Sequence, residues 1–197
     1  MSLTGSPGVG DKKYELVPDQ RITVAGTTLC RIRALKDFGH VKAGMLGGFV
    51  ASESNLSQHG DCWVGDDARV YDGAVVSDGA QVFARARVYD RARISDKAQV
   101  LGNAQVFGDG RVFRRGIVFD NAKVFGRGQV RDDALAFGNS IICDRAKVLG
   151  HGQVCGDTRL DGEMVVSGED KVRRPSPDAP SGRRRGGRPP SLRGPRP

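Results

Sequence analysis

A six-residue beat constrains this chain more than any other feature. In RVYDRARISDKAQVLGNAQVFG, residues 87–108, Val88, Ile94, Val100 and Val106 fall six apart, and so do Ala86, Ala92, Ala98 and Ala104. From Trp63 to Asp170 the chain divides into 18 consecutive hexads without an insertion. The second residue of each is Val, Ile or Leu, with Ala136 the exception. Four residues later comes Ala, Gly, Ser or Thr, from Ala68 through Thr158, failing only at Met164 and Asp170. The fourth residue is Asp or Gly in 16 of 18 hexads; Ala84 and Arg114 depart. A period of six excludes helix, which repeats near 3.6. It fits a short strand followed by a tight corner, with the aliphatic and small side chains pointing inward. Asp and Gly suit corners because they tolerate left-handed backbone or bond their own turn.

Three such sides close one coil of 18 residues, so the 108 residues of this segment make about six coils. At about 4.8 Å per coil the rod would be roughly 29 Å long. The expected fold class is all-β: a single-stranded parallel β-helix. Residues 14–62 are not hexads. YELV and RITVAGTTLCRIRAL alternate as strands do, with a turn at Ala25-Gly26-Thr27. The open end of a stacked sheet exposes backbone groups that would recruit other strands, so 14–62 is read as an N-terminal β cap. Gly44, Gly47 and Gly48 mark turns or close approaches there.

Charge is unevenly placed. The formal net charge is +8, yet residues 1–170 hold 22 Lys+Arg against 22 Asp+Glu. Residues 171–197 hold nine Lys+Arg and one acid, Asp178, which accounts for the whole excess. That tail, KVRRPSPDAPSGRRRGGRPPSLRGPRP, is too rich in Pro, Gly, Ser and Arg to bury a core and is expected to be disordered. Residues 1–13 carry the same expectation. They lack the apolar run of a signal peptide, and no stretch approaches a membrane span. Cys30, Cys62, Cys143 and Cys155 have no metal-type spacing and read as free thiols, consistent with a cytoplasmic protein without membrane contact.

The hexads of 63–170 resemble the hexapeptide-repeat proteins that form left-handed parallel β-helices. The left hand is implied by that resemblance. The entry segment DFGHVKAGMLGGFVASESNLSQHGDCWV, residues 37–64, is similar to that of the YdcK-type hexapeptide proteins and related phage-associated β-helices. Their label of acetyltransferase implies acetyl-CoA as co-substrate and a histidine base acting on the acceptor. His151, in the corner LGHGQ, is the histidine within the coils and the candidate for that role. The acyltransferases commonly interrupt their coils with a protruding loop, and here none interrupts. A zinc site is not expected, because His40 and His59 lie in the cap with no ligand spacing to His151. Nor is calcium, since the corner Asp residues lack the glycine-rich nonapeptide pattern. No metal or cofactor is therefore assigned, acetyl-CoA entering only with the acyltransferase reading.

Residues 18 apart stack on one face. One face carries Phe83, Leu101, Phe119 and Phe137 beside Ile117 and Leu135, a continuous apolar ladder that monomers rarely leave in water. The next carries Tyr71, Tyr89, Phe107 and Phe125 among Arg69, Arg87, Lys123 and Arg159, a combination used to stack bases and hold phosphates. The third, with Ser77, Ser95, Phe113, Arg131, Leu149 and Ser167, is more polar. The favoured function is a structural or interaction module that self-associates, as a homotrimer, through Phe83, Leu101, Ile117, Phe119, Leu135 and Phe137. A different protein partner on that face is the variant of this reading. An acyltransferase is the alternative. A second alternative is weak binding of nucleic acid or another polyanion by Arg183, Arg184, Arg185 and Arg188 of the tail.

Overall fold

The structure, a computed structural model, describes residues 12–174. Two-residue strands recur every six residues and stack in three parallel sheets, forming a β-solenoid of about seven turns. Gln99-Val100 pairs with Gln81-Val82 on one side and Ile117-Val118 on the other, an 18-residue offset repeated from Trp63 onward. The inward aliphatic residues from Val64 to Val154 are fully buried. The small residues line the corners where the walls converge, and Ala68 to Ala104 are likewise sealed from solvent.

The corners explain the Asp/Gly preference. Every fourth-position residue from Asp66 to Gly168 has positive φ, the departures Ala84 (φ 60°) and Arg114 (φ 58°) included. Left-handed backbone is costly for most side chains. Asp offsets that cost with a second bond. Asp90 accepts the N–H of Gly108 one coil above at 2.9 Å, and Asp96 that of Arg114 at 2.9 Å. Asp66 does the same for Ala84 at 3.0 Å. The two departures thus each sit above an Asp whose carboxylate holds their backbone. Asp132 receives both the Gly150 N–H and the Arg114 guanidinium, which lower its pKa below the ordinary carboxylate value.

The first coil begins earlier than the hexads announce. Phe49-Val50 pairs in parallel with Arg69-Val70, and Leu56 with Val76, both offset by 20 residues. Trp63-Val64 then pairs with Gln81-Val82 at the usual 18. Two extra residues between Leu56 and Trp63 break the hexad without breaking the coil. The segment read as cap therefore contributes a seventh turn, and about six becomes about seven. The remaining cap is a hairpin, β1 (Tyr14–Val24) and β2 (Thr27–Ala34), turning at Ala25-Gly26. β2 runs antiparallel to β3 (Leu46–Val50), which joins hairpin to solenoid. Gly47 and Gly48 are needed at this joint: a Cβ on Gly47 would fall 2.5 Å from Trp63 and from the Val64 carbonyl.

The hairpin plugs the lower end of the prism. Tyr14 is buried, and its hydroxyl donates to the Leu56 carbonyl at 2.7 Å. Lys13, assigned by sequence to the N-terminal disordered segment, is also buried. Its ammonium donates to the carbonyls of Gly60 at 3.1 Å and Cys62 at 3.0 Å, and lies 4.9 Å from the Phe38 ring centre. At the other end Lys171–Arg174, assigned to the tail, pairs in parallel with Gln153–Gly156 and extends one sheet.

Candidate interaction faces

The three sheets present three chemically distinct outer faces. The apolar face is carried by the sheet containing Gln81-Val82, Gln99-Val100, Ile117-Val118 and Leu135-Ala136. Ile117 and Leu135 are register partners, and the Phe119 and Phe137 rings stack at 4.9 Å with an interplanar angle of 6°. The structure thus brings Phe83, Leu101, Ile117, Phe119, Leu135 and Phe137 to one surface, each half-buried by its stacked neighbours. Phe83 closes the bottom, lying over Gly65 and against the His40 ring at 5.8 Å. From Gln81 to Cys155 no outward position on this face is charged. An asparagine ladder borders it, Asn103 donating to Asn121 at 3.2 Å and Asn121 to Asn139 at 3.2 Å, and it ends with Asn139 donating to the Asp157 carboxylate at 2.9 Å.

The aromatic face is one continuous ring stack. The ring centres of Tyr71, Tyr89, Phe107 and Phe125 are separated by 5.2, 4.9 and 4.8 Å, with the rings nearly parallel throughout. Leu29 and Phe49 pack against Tyr71 at its lower end. Tyr89 and Phe107 have both ring faces occupied by neighbouring rings, which leaves their edges for solvent; the stack ends at Phe125, above which lies the coil of Cys143. Burial raises the Tyr71 and Tyr89 pKa above the ordinary tyrosine value.

The basic face was not legible as such from its third-position residues alone. Its strands carry Arg93, Arg111, Gln129 and Lys147 in one register column. The adjoining corner adds Arg91, Arg127 and Arg145. Arg91 pairs with Asp109 at 2.9 Å and Arg145 with Glu163 at 3.2 Å. Arg93, Arg111, Arg127 and Lys147 have no ion-pair partner among the described residues. Phe113 stands on this face with the Arg131 guanidinium over its ring at 5.9 Å.

The sequence-predicted chemistry is scattered. His151 is exposed at a corner; its backbone N–H donates to Gly168, and its imidazole has no hydrogen-bond partner among the described residues. An open groove of about 750 Å³ runs along the same corner lower down, lined by Asp78, Asp96, Lys97, Arg114, Arg115 and Asp132 among others. Arg114 pairs there with Asp132, and Arg115 with Asp133 at 2.6 Å. Among the described residues no three His, Cys, Asp or Glu side chains are grouped to hold a metal. The four cysteines are free thiols, Cys62, Cys143 and Cys155 being buried. Burial lowers the Lys13 pKa and raises that of Cys62, whose Sγ lies 3.2 Å from the ammonium. Arg183, Arg184, Arg185 and Arg188 lie outside the described residues. No described helix is long and apolar enough to cross a membrane.

A comparison with protein-family models and with curated proteins finds no match for the chain. The solenoid geometry is compatible with the hexapeptide-type β-helix that the repeat resembles.

Proposed function

We propose that this protein is a rod-shaped interaction module that self-associates as a homotrimer through its apolar face. The supporting observation is the composition of that face: six apolar side chains in two adjacent columns, with no charge between Gln81 and Cys155. Interface cores are depleted of charge and enriched in aromatic residues in the same way. The rigid backbone presents them preformed, so association orders few side chains.

The test is light scattering behind size-exclusion chromatography, on the wild-type chain and on Phe119→Arg/Phe137→Arg. A trimer reduced to monomer by the double substitution supports the reading. A wild-type monomer at the highest soluble concentration refutes it. The acyltransferase alternative rests on the hexapeptide resemblance and His151. Calorimetric titration with acetyl-CoA tests it separately, and saturable heat lost in His151→Ala would favour it.

A further inference from the structure

We infer that the basic face is a binding site for single-stranded nucleic acid. At several corners of this solenoid, residues one coil apart are opposite in charge: Arg91 beneath Asp109, Arg114 beneath Asp132, Arg115 beneath Asp133, Arg145 beneath Glu163. The strand column of the basic face, like the Arg69–Arg87 pair of the aromatic face, instead sets like charges in register. Arg93 and Arg111 are direct register partners, about 4.8 Å apart along the rod. Like charges placed opposite each other on a sheet are destabilising. Arg127 stands beside them and Lys147 two coils above Arg111, and all four lack a carboxylate partner among the described residues. Six basic side chains, these four with Arg91 and Arg145, share the face and its corner with four acids, Asp90, Asp109, Asp144 and Glu163, an excess of two positive charges. An anion laid along the column relieves the repulsion.

The geometry favours a phosphodiester strand over an acidic peptide. The column is the middle of a sheet face, with its backbone groups consumed by coil-to-coil pairing, so it offers an extended peptide no edge to join. Three of the four unmatched cations are Arg, whose planar fork meets two phosphate oxygens at once. Beside them Phe113 has one ring face covered by Arg131. Its opposite face is turned toward the coil of Ser95, where the outward side chain is only a hydroxymethyl. That leaves a ledge on which one base stacks.

The experiment is fluorescence anisotropy of a labelled oligothymidylate against the full-length chain over a series of salt concentrations. Neutralising four phosphate contacts should make the slope of log K against log salt shallower by about 2.8, since each contributes about 0.7 for single strands. Arg93→Gln/Arg111→Gln/Arg127→Gln/Lys147→Gln is expected to show that change. Arg111→Gln alone should show about a quarter of it, a control against misfolding of the quadruple variant. Arg183→Gln/Arg184→Gln/Arg185→Gln/Arg188→Gln removes the same charge from the tail and reports the tail's share. Phe113→Ala should weaken oligothymidylate about fivefold or more while leaving inorganic polyphosphate unaffected. An unchanged salt slope in both face variants overturns the site. So does poly-glutamate competing as well as oligothymidylate, or a Phe113→Ala chain that binds oligothymidylate like wild type.

Discussion

The apolar and basic faces are built on the same backbone and differ only in what points outward. Inside, both rest on fully buried aliphatic residues, Val118 and Ala136 beneath the apolar face and Val112 and Val130 beneath the basic one. Outside, one is free of charge over five coils and the other carries four unmatched cations. In a solenoid each coil touches only its neighbours, so outward positions can diverge without disturbing the core. Fold and function are thereby written at alternate positions of the same strand.

The sharpest way to break this comparison is to change what the faces share. Val112→Asp and Val118→Asp each bury an unpaired carboxylate, and each should cost about 4 kcal/mol or more. Equal losses in melting experiments are expected; a difference above about 1 kcal/mol would mean that face chemistry reaches the core. Alkali should also act on both faces alike, through the cap. Burial lifts Tyr14 above its ordinary 10.0 and Cys62 above 9.0, so their contributions hold below those values and are lost as pH rises through them. Lys13, pushed below 10.5 by burial, works in the opposite sense, adding stability as pH climbs toward 10.5. The urea midpoint should fall above about pH 10, where both acids act. Tyr14→Phe should flatten that limb; an equally steep fall in the variant would assign it elsewhere.

Smaller effects belong to the corner and the surface. Asp96 turns the chain from the basic to the apolar face with φ 58° and holds the Arg114 N–H. Asp96→Ala should cost about 1–2 kcal/mol, and Asp96→Gly less, because glycine keeps the backbone angle; the reverse order would remove the corner argument. Smallest is the contrast between single outward substitutions. Phe119→Ala should lose about 1 kcal/mol of ring stacking on Phe137, measured in dilute protein. Arg111→Gln should be neutral or slightly stabilising, since it relieves Arg93. Equal destabilisation by both would show that the two faces bear load alike.

The repeat was readable because one side chain per hexad has no freedom: Val88, Ile94 and Val100 must fit the same interior. The left-handed corners were readable through Asp90 and Gly102, and the structure extends them to Ala84 and Arg114, whose partners one coil below no local pattern reveals. The first coil escaped because its extra two residues before Trp63 shift the beat. Lys13 escaped for a different reason: one of two adjacent lysines beside a glycine-rich terminus, it looks solvated until Cys62 and Gly60 are brought to it. The apolar face was legible from its bulky third positions. The basic face was not, because Ser77 and Ser95 there draw attention away from Arg93, Arg111 and Lys147 in the neighbouring column.

The uninterrupted 18-residue coil makes this molecule a counting device. Removing 18 residues would shorten the rod by one floor and leave every side chain facing the same way. Removing six would rotate everything downstream by a third of a revolution. Deleting residues 97–102, for instance, would carry Ile117 into the position now held by Arg111, with the core none the worse. Such a deletion leaves the architecture readable and scrambles its address, so selection on the faces is enough to hold the arithmetic of the whole chain.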